Sequence, residues 1–367
     1  MRTALLQLAT VLVVAPLLGG VVTRVKAIFA GRTGAPLLQP YHDLARLLRK
    51  GVVYSRTAGA VFRAGPLVGL AATLAAALLM PFGGAEAVVA FPGDFVLLAY
   101  LLGLARFVTA LAALDTGSSF EGMGAAREVT FASFAEPALF LALVTVARAT
   151  GALSLSEMLG PPLAQRWAAG GSQLPLVALA LFAVALAESS RIPFDDPNTH
   201  LELTMIHEVM VLDHSGPDLA LILYGAHLKL ALLGALVARV ALGFAGGVDH
   251  GPAADAAGAA VPPRRVGPVG ARARAAGEVI EMAPWIDLLF VAVVLLDLVL
   301  LASSRLRGAI RTVALQGALL SLVPVALATA AHATVHVVAL AVGALLIKAI
   351  AIPALMLWAI REATILR

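Results

Sequence analysis

The chain has 367 residues, 60% hydrophobic and 13% charged, with a formal net charge of +4. A soluble domain carries about 25% charged residues, so this chain lacks the polar surface to cover a water-facing globule, and a soluble enzyme is excluded. It has no cysteine, which excludes disulfides, cysteine-ligated iron–sulfur clusters and thiolate metal sites. Any electron transfer it serves runs through other chains.

A spanning helix needs roughly 20 mostly apolar residues. Apolar runs near 4–22, 64–81, 95–114, 130–149, 174–190, 218–245, 284–303, 309–330 and 333–360 predict about nine transmembrane helices in an all-α polytopic membrane bundle. The first run lacks a small-residue cleavage site and reads as a retained helix. The stretch 23–63 reads as a polar loop, with Arg24, Lys26, Arg32, Arg46, Arg49, Lys50, Arg56 and Arg63 against Asp43. Basic residues in short loops mark the cytoplasmic side. That puts 23–63, 115–129, 188–217 and the Arg305–Arg311 region inside, with the N-terminus outside and the C-terminus cytoplasmic. The Pro/Gly/Arg-rich stretch 246–283 reads as a linker between a six-helix unit, 1–245, and a three-helix unit, 284–367. Alternation places that linker outside, against its four arginines, Arg264, Arg265, Arg272 and Arg274.

The densest titratable segment is 188–217, with Glu188, Arg191, Asp195, Asp196, His200, Glu202, His207, Glu208, Asp213 and His214. Carboxylates near a bilayer are costly and usually pair or line a hydrated path. Partial burial raises a carboxyl pKa and suits it to proton exchange near neutrality. Two further readings stand beside this one. An ordinary solvated loop is the first, although Leu201, Leu203, Ile206, Val209 and Met210 fit a partly buried helix with a polar face. A metal site is the second. His207-Glu208 opens like a zinc-protease motif, but position 211 is Val where a second His is required.

A second cluster holds Asp115, Glu121, Arg127, Glu128 and Glu136. Asp115-Thr-Gly117 reads as a helix end, and Arg127 and Glu128 as the opening of the next helix. Glu136 lies inside an apolar run, just before Pro137. Isolated charges form a third set. Arg106 and Asp287 read as helix-end charges that snorkel to the interface. Lys229 and Lys348 lie too deep for that and point to ion pairs or a proton path. Asp297 and the histidines His227, His332 and His336 complete the set. No inverted repeat or broken-helix pair suggests a stand-alone transporter.

The run Glu188-Ser-Ser-Arg191-Ile-Pro193-Phe-Asp195, continuing through Glu202-Leu to His214-Ser215-Gly216, resembles the signature of the complex I subunit 1 family. Its Thr-His200-Leu-Glu202-Leu-Thr-Met-Ile-His207-Glu208 form is similar to the hydrogenase branch of formate hydrogenlyase subunit 4 and hydrogenase-4 component C. Gly34-Ala-Pro36-Leu-Leu-Gln39-Pro40-Tyr-His42-Asp43 and Asp115-Thr-Gly117 with Gly124-Ala-Ala-Arg127-Glu128 agree with that family. The last third, with Ser303-Ser304-Arg305-Leu-Arg307, Arg311, Gln316-Gly317, Lys348 and Ile352-Pro353, resembles hydrogenase-4 component E, whose first helices are similar to the K subunit of complex I.

The resemblance implies a non-catalytic membrane-arm subunit of an energy-converting nickel–iron hydrogenase or formate hydrogenlyase in the inner (plasma) membrane. Its implied partners are the hydrogenase large and small subunits, iron–sulfur proteins, antiporter-like membrane subunits and the lipid bilayer, with no nucleic acid. The chain would bind no cofactor or metal, the nickel–iron site and clusters lying in partner subunits. Proton coupling would fall to Glu188, Arg191, Asp195, Glu202, Glu208, Asp213, Glu136, Lys229 and Lys348. Docking of the hydrophilic arm would fall to Gln39, His42, Asp43, Asp115, Arg127 and Glu128. A quinone-site subunit of an NADH-quinone oxidoreductase and a passive hydrogenase anchor are the competing functions.

Overall fold

The computed structural model describes residues 2–83, 85–195, 205–248, 292–293, 295–296, 306–322 and 335–365. The described residues contain helices and no strand. In chain order they form α1 (Arg2–Phe29), α2 (Gln39–Leu48), α3 (Ala60–Leu79), α4 (Asp94–Asp115), α5 (Ser119–Thr150), α6 (Leu155–Met158), α7 (Pro161–Ala168), α8 (Leu174–Glu188), α9 (His207–Met210), α10 (Gly216–Val248), α11 (Leu306–Ser321), α12 (Val335–Leu345), a π-helical turn Leu346–Ala351, and α13 (Ile352–Ile365). Six stretches among these residues are long and apolar enough to cross a membrane: α1, α3, α4, α5, Gly216–Gly243 of α10, and Ala341–Trp358, which runs through the π turn. The 15-residue α8 is apolar but shorter. Most of the expected run 284–303 and the linker 246–283 lie outside the described residues, as do Asp287, Asp297 and His332.

Two expected loops hold helix. The stretch 23–63 contains the end of α1 and the whole of α2, a short helix with Pro40 in its first turn, where a missing N–H costs nothing. Helix α5 begins at Ser119, ahead of the opening expected at Arg127 and Glu128, so Glu121 is helical as they are. Their polar side chains delay the apolar pattern, yet each has a partner inside the protein.

The largest of four hydrophobic clusters among the described residues holds the bundle together. Phe95, Leu98 and Leu102 of α4 meet Leu139, Phe140 and Leu143 of α5, Leu181 of α8, and Leu228, Leu232 and Leu236 of α10. The small residues Ala76, Ala77 and Ala99 are buried in the same cluster and let helices approach closely, as membrane packing requires.

Proline supplies a second adhesive. A proline inside a helix removes one N–H and frees the carbonyl four residues earlier. Pro16 of α1 frees Leu12, whose carbonyl accepts from Tyr224 Oη of α10 at 2.9 Å. Pro137 of α5 frees Ser133, whose carbonyl accepts from Gln316 Nε2 of α11 at 3.5 Å. Each kink thus ties its helix to a distant one, and the second tie places α11 beside Glu136.

The loops gather at two ends. At one end Tyr54 Oη donates to Asp218 Oδ2 at 2.9 Å and the Val53 N–H to Ser215 Oγ at 3.2 Å. Gly216 sits there at φ +54 with a Cβ position 2.6 Å from the Gly51 carbonyl oxygen, so both its conformation and the space demand glycine. At the other end buried Asp94 accepts from Ser154 Oγ at 2.8 Å and the Leu155 N–H at 2.7 Å. The described part of the titratable segment after α8 reaches the first end through Ser215.

Candidate functional site: a buried charge relay

Four charged side chains from four helices meet inside the bundle. Arg106, in the middle of α4, places Nε 3.0 Å from Glu128 Oε1 of α5, an ion pair without hydrogen-bond geometry. Its guanidinium also pairs with Glu188, the last residue of α8. Lys229 of α10 lies 3.5 Å from the second Glu188 oxygen, which accepts no hydrogen bond. Glu188 is 2% exposed and Arg106 6%. Two carboxylates and two cations sum to zero, which is how a buried cluster avoids the cost of an uncompensated charge.

Arg106 does not snorkel, contrary to the sequence expectation. It is the hub of this cluster, because it sits mid-helix with carboxylates within reach on two neighbouring helices. Its position inside an apolar run was the available signal; its partners, on α5 and α8, were not readable.

A second pair lies further along α5. Lys348, in the π turn, pairs with Glu136. Its ammonium also sits 4.5 Å from the Tyr100 ring centroid, within cation–π range. A π turn widens the helix locally and often marks functional sites. Gly103 makes room: a Cβ there would lie 2.9 Å from Glu136 Oε1 and 3.8 Å from Lys348 Nζ.

Two cavities flank the relay. The larger, about 280 Å³, is walled mainly by apolar side chains such as Leu101, Phe107, Val313 and Ile347, and reaches Arg106, Glu128, Glu136 and Lys348. The smaller, about 60 Å³, lies between α3, α4, α10 and the segment after α8, and reaches Arg106, Glu128, Ser190, His207 and Lys229. Arg106 and Glu128 line both, so the ion pair is the partition between them.

The remaining expected residues sort by location. Asp195 is buried and accepts the N–H groups of Ile206 at 3.1 Å and His207 at 2.9 Å, closing its loop onto α9. Glu208 is exposed on α9, yet desolvation raises its carboxyl pKa, with Asp195 adding to the rise. Asp213 gives its backbone N–H to buried Glu121 at 3.2 Å while its own side chain is exposed. Arg191 is half-buried in the same segment, with Nε lacking a hydrogen-bond partner. Glu202 lies outside the described residues.

Among the residues expected to dock a partner, Gln39 donates to Asp43 at 2.8 Å along α2, and His42 beside them is exposed. Asp115 caps α3 by accepting from Gly59 and Phe62 at 2.9 and 3.0 Å. Arg127 donates to the Met205 carbonyl at 3.1 Å, fixing the near end of α9. Glu128 belongs to the buried relay. His207, which the sequence offers as a titratable group and as an incomplete metal motif, lines the smaller cavity.

A polytopic helical bundle with paired charges in its interior is the class of membrane subunit that this fold and site define. The family model described as NADH dehydrogenase matches residues 2–358, and the chain belongs to that family. The match runs into the last third of the chain. The chain is 35% identical over 244 residues to hydrogenase-4 component C of Escherichia coli, covering 66% of this chain and 75% of that one. Formate hydrogenlyase subunit 4 of the same organism is 34% identical over 228 residues, covering 61% and 72%. The NADH-quinone oxidoreductase H subunit of Neisseria meningitidis is 27% identical over 215 residues, covering 56% of this chain and 59% of that one. A chain of the membrane-bound sulfane sulfur reductase, an archaeal respiratory membrane complex, shares the fold with a TM-score of 0.55 at 23% identity, over 65% of this chain and 77% of that chain.

Proposed function

We propose that the chain is a membrane-arm subunit of an energy-converting nickel–iron hydrogenase or formate hydrogenlyase, coupling electron transfer in a docked hydrophilic arm to proton or sodium movement in the inner membrane. The observation that carries this is the relay itself. Buried ion pairs bridge α4, α5, α8 and α10, separate two cavities, and lead along α5 to Glu136–Lys348. A charge change at the loop end alters the balance at Glu188 and Glu128. The ion-pair partners then rearrange, and the larger cavity connects that change to Lys348.

The similarity to hydrogenase-4 component C and formate hydrogenlyase subunit 4 exceeds that to the NADH-quinone oxidoreductase relative, which favours the hydrogenase reading over a quinone site. In this reading the chain binds no cofactor. Hydrogenase large and small subunits, iron–sulfur proteins and antiporter-like subunits are its partners. α2 and the segment after α8 form the docking end on the cytoplasmic side, and the C-terminal helices serve as a component E-like unit.

The test is Glu136→Gln in the assembled complex, in inverted membrane vesicles driven by reduced methyl viologen, with proton uptake followed by dye quenching. The variant should lose proton movement per hydrogen evolved by at least tenfold while the subunits still co-purify. Undiminished proton movement in an assembled variant removes the proposal.

A further inference from the structure

The smaller cavity supports an inference that rests on the coupling function above and names the residue feeding it. We infer that His207 is the proton carrier between the loop end of the bundle and Glu128. Its Nε2 is buried without a hydrogen-bond partner, while the residue as a whole keeps partial exposure. The residue is thus partly open to solvent and also lines the smaller cavity. An imidazole so placed can receive a proton on one side and release it on the other.

The cavity suits the task. At about 60 Å³ it exceeds the roughly 10–15 Å³ that one water needs, so several fit. Its walls offer Ser190, Thr109, Lys229 and the Arg106–Glu128 pair, enough polar groups to hold water in place. Ser190 sits at φ +49, a left-handed conformation in which a non-glycine residue is strained. Glycine would relieve the strain; serine keeps a hydroxyl on the cavity wall. The Asp195 carboxylate grips the His207 N–H at 2.9 Å, holding the ring's backbone at the cavity mouth.

The charges facing the ring come from every element around it: Lys229 from α10, Glu128 from α5, Arg106 from α4, and Arg191 and Asp195 from the segment after α8. Burial, then Lys229, lowers the imidazole pKa. The ring is therefore neutral at neutral pH and free to accept a proton. In the transfer, a hydronium ion on the loop side gives one proton to the ring and is left as water. The imidazolium then passes one proton through cavity water to the Glu128 carboxylate, and the neutral ring is restored. Glu128 lines both cavities, so a proton arriving there has reached the partition.

The experiment compares His207→Ala and the near-isosteric His207→Gln with the unaltered complex in the same vesicle assay, with and without added imidazole. Both variants should co-purify with their partners and lose proton movement at least tenfold. Imidazole should restore most of it in His207→Ala, which leaves space for the ring, and little in His207→Gln. Normal proton movement in either assembled variant overturns the inference. So does an assembled His207→Ala that imidazole fails to restore, since a structural role would behave that way. If Glu136→Gln fails to move protons and His207→Gln moves them normally, only the His207 assignment falls. If Glu136→Gln moves them normally, the coupling function falls first.

Discussion

Removing the hub cation gives the sharpest test of the relay. Arg106→Met keeps a long apolar side chain in α4 but leaves Glu128 and Glu188 with Lys229 alone. The cluster passes from neutral to a net charge of −1. Breaking a buried pair by deleting one partner costs about 3–5 kcal/mol, because the carboxylate left behind is buried and uncompensated. Arg106 bridges two buried carboxylates, so the upper part of that range applies. The double variant Arg106→Met/Glu128→Gln restores neutrality, with Glu188 and Lys229 still paired at 3.5 Å. It should recover more than half of the loss. The assay is the midpoint of SDS-induced unfolding of the purified protein, followed by far-UV circular dichroism, for wild type, both single variants and the double. A double variant no more stable than Arg106→Met would refute the reasoning, since charge balance would then not be what holds the cluster.

Two further expectations concern packing and pH. Gln316→Leu removes the donor to the Ser133 carbonyl that Pro137 frees, and should lower stability by about 0.5–1.5 kcal/mol in the same unfolding assay; an unchanged midpoint would show that α11 is not tied to α5 at this point. His214 stacks on Phe62 at 3.9 Å and is buried, and desolvation lowers its pKa against the partly opposing pull of Asp218 and Asp213. The folded state therefore resists charging the ring. Its contribution is present above the ordinary histidine value of about 6.5 and is lost as pH falls through it. His214→Phe should flatten the fall in unfolding midpoint between pH 7.5 and 5, and an equal fall in both proteins would discount this histidine.

The hydrophobic runs over α1, α3, α4 and α10 were readable from the chain alone, because a bilayer demands about 20 apolar residues wherever a helix crosses. The concentration of charge in the segment after α8 was readable too, and in so apolar a chain such charge needs partners or water. Glu136, Lys229 and Lys348 could be singled out by their depth within apolar runs. What they touch could not. Glu136 and Lys348 are 212 residues apart, and only the docking of the π turn against α5 makes them a pair. Arg106 reads identically whether it snorkels or bridges two carboxylates, since the difference lies on α5 and α8. The start of α5 was hidden for the same reason. Glu121 resembles a loop residue in sequence, and the helix tolerates it because the distant Asp213 N–H pairs with it. Apolar length is a property of a segment and can be counted along the chain. Charge compensation is a property of a place, and only the folded bundle brings its members there.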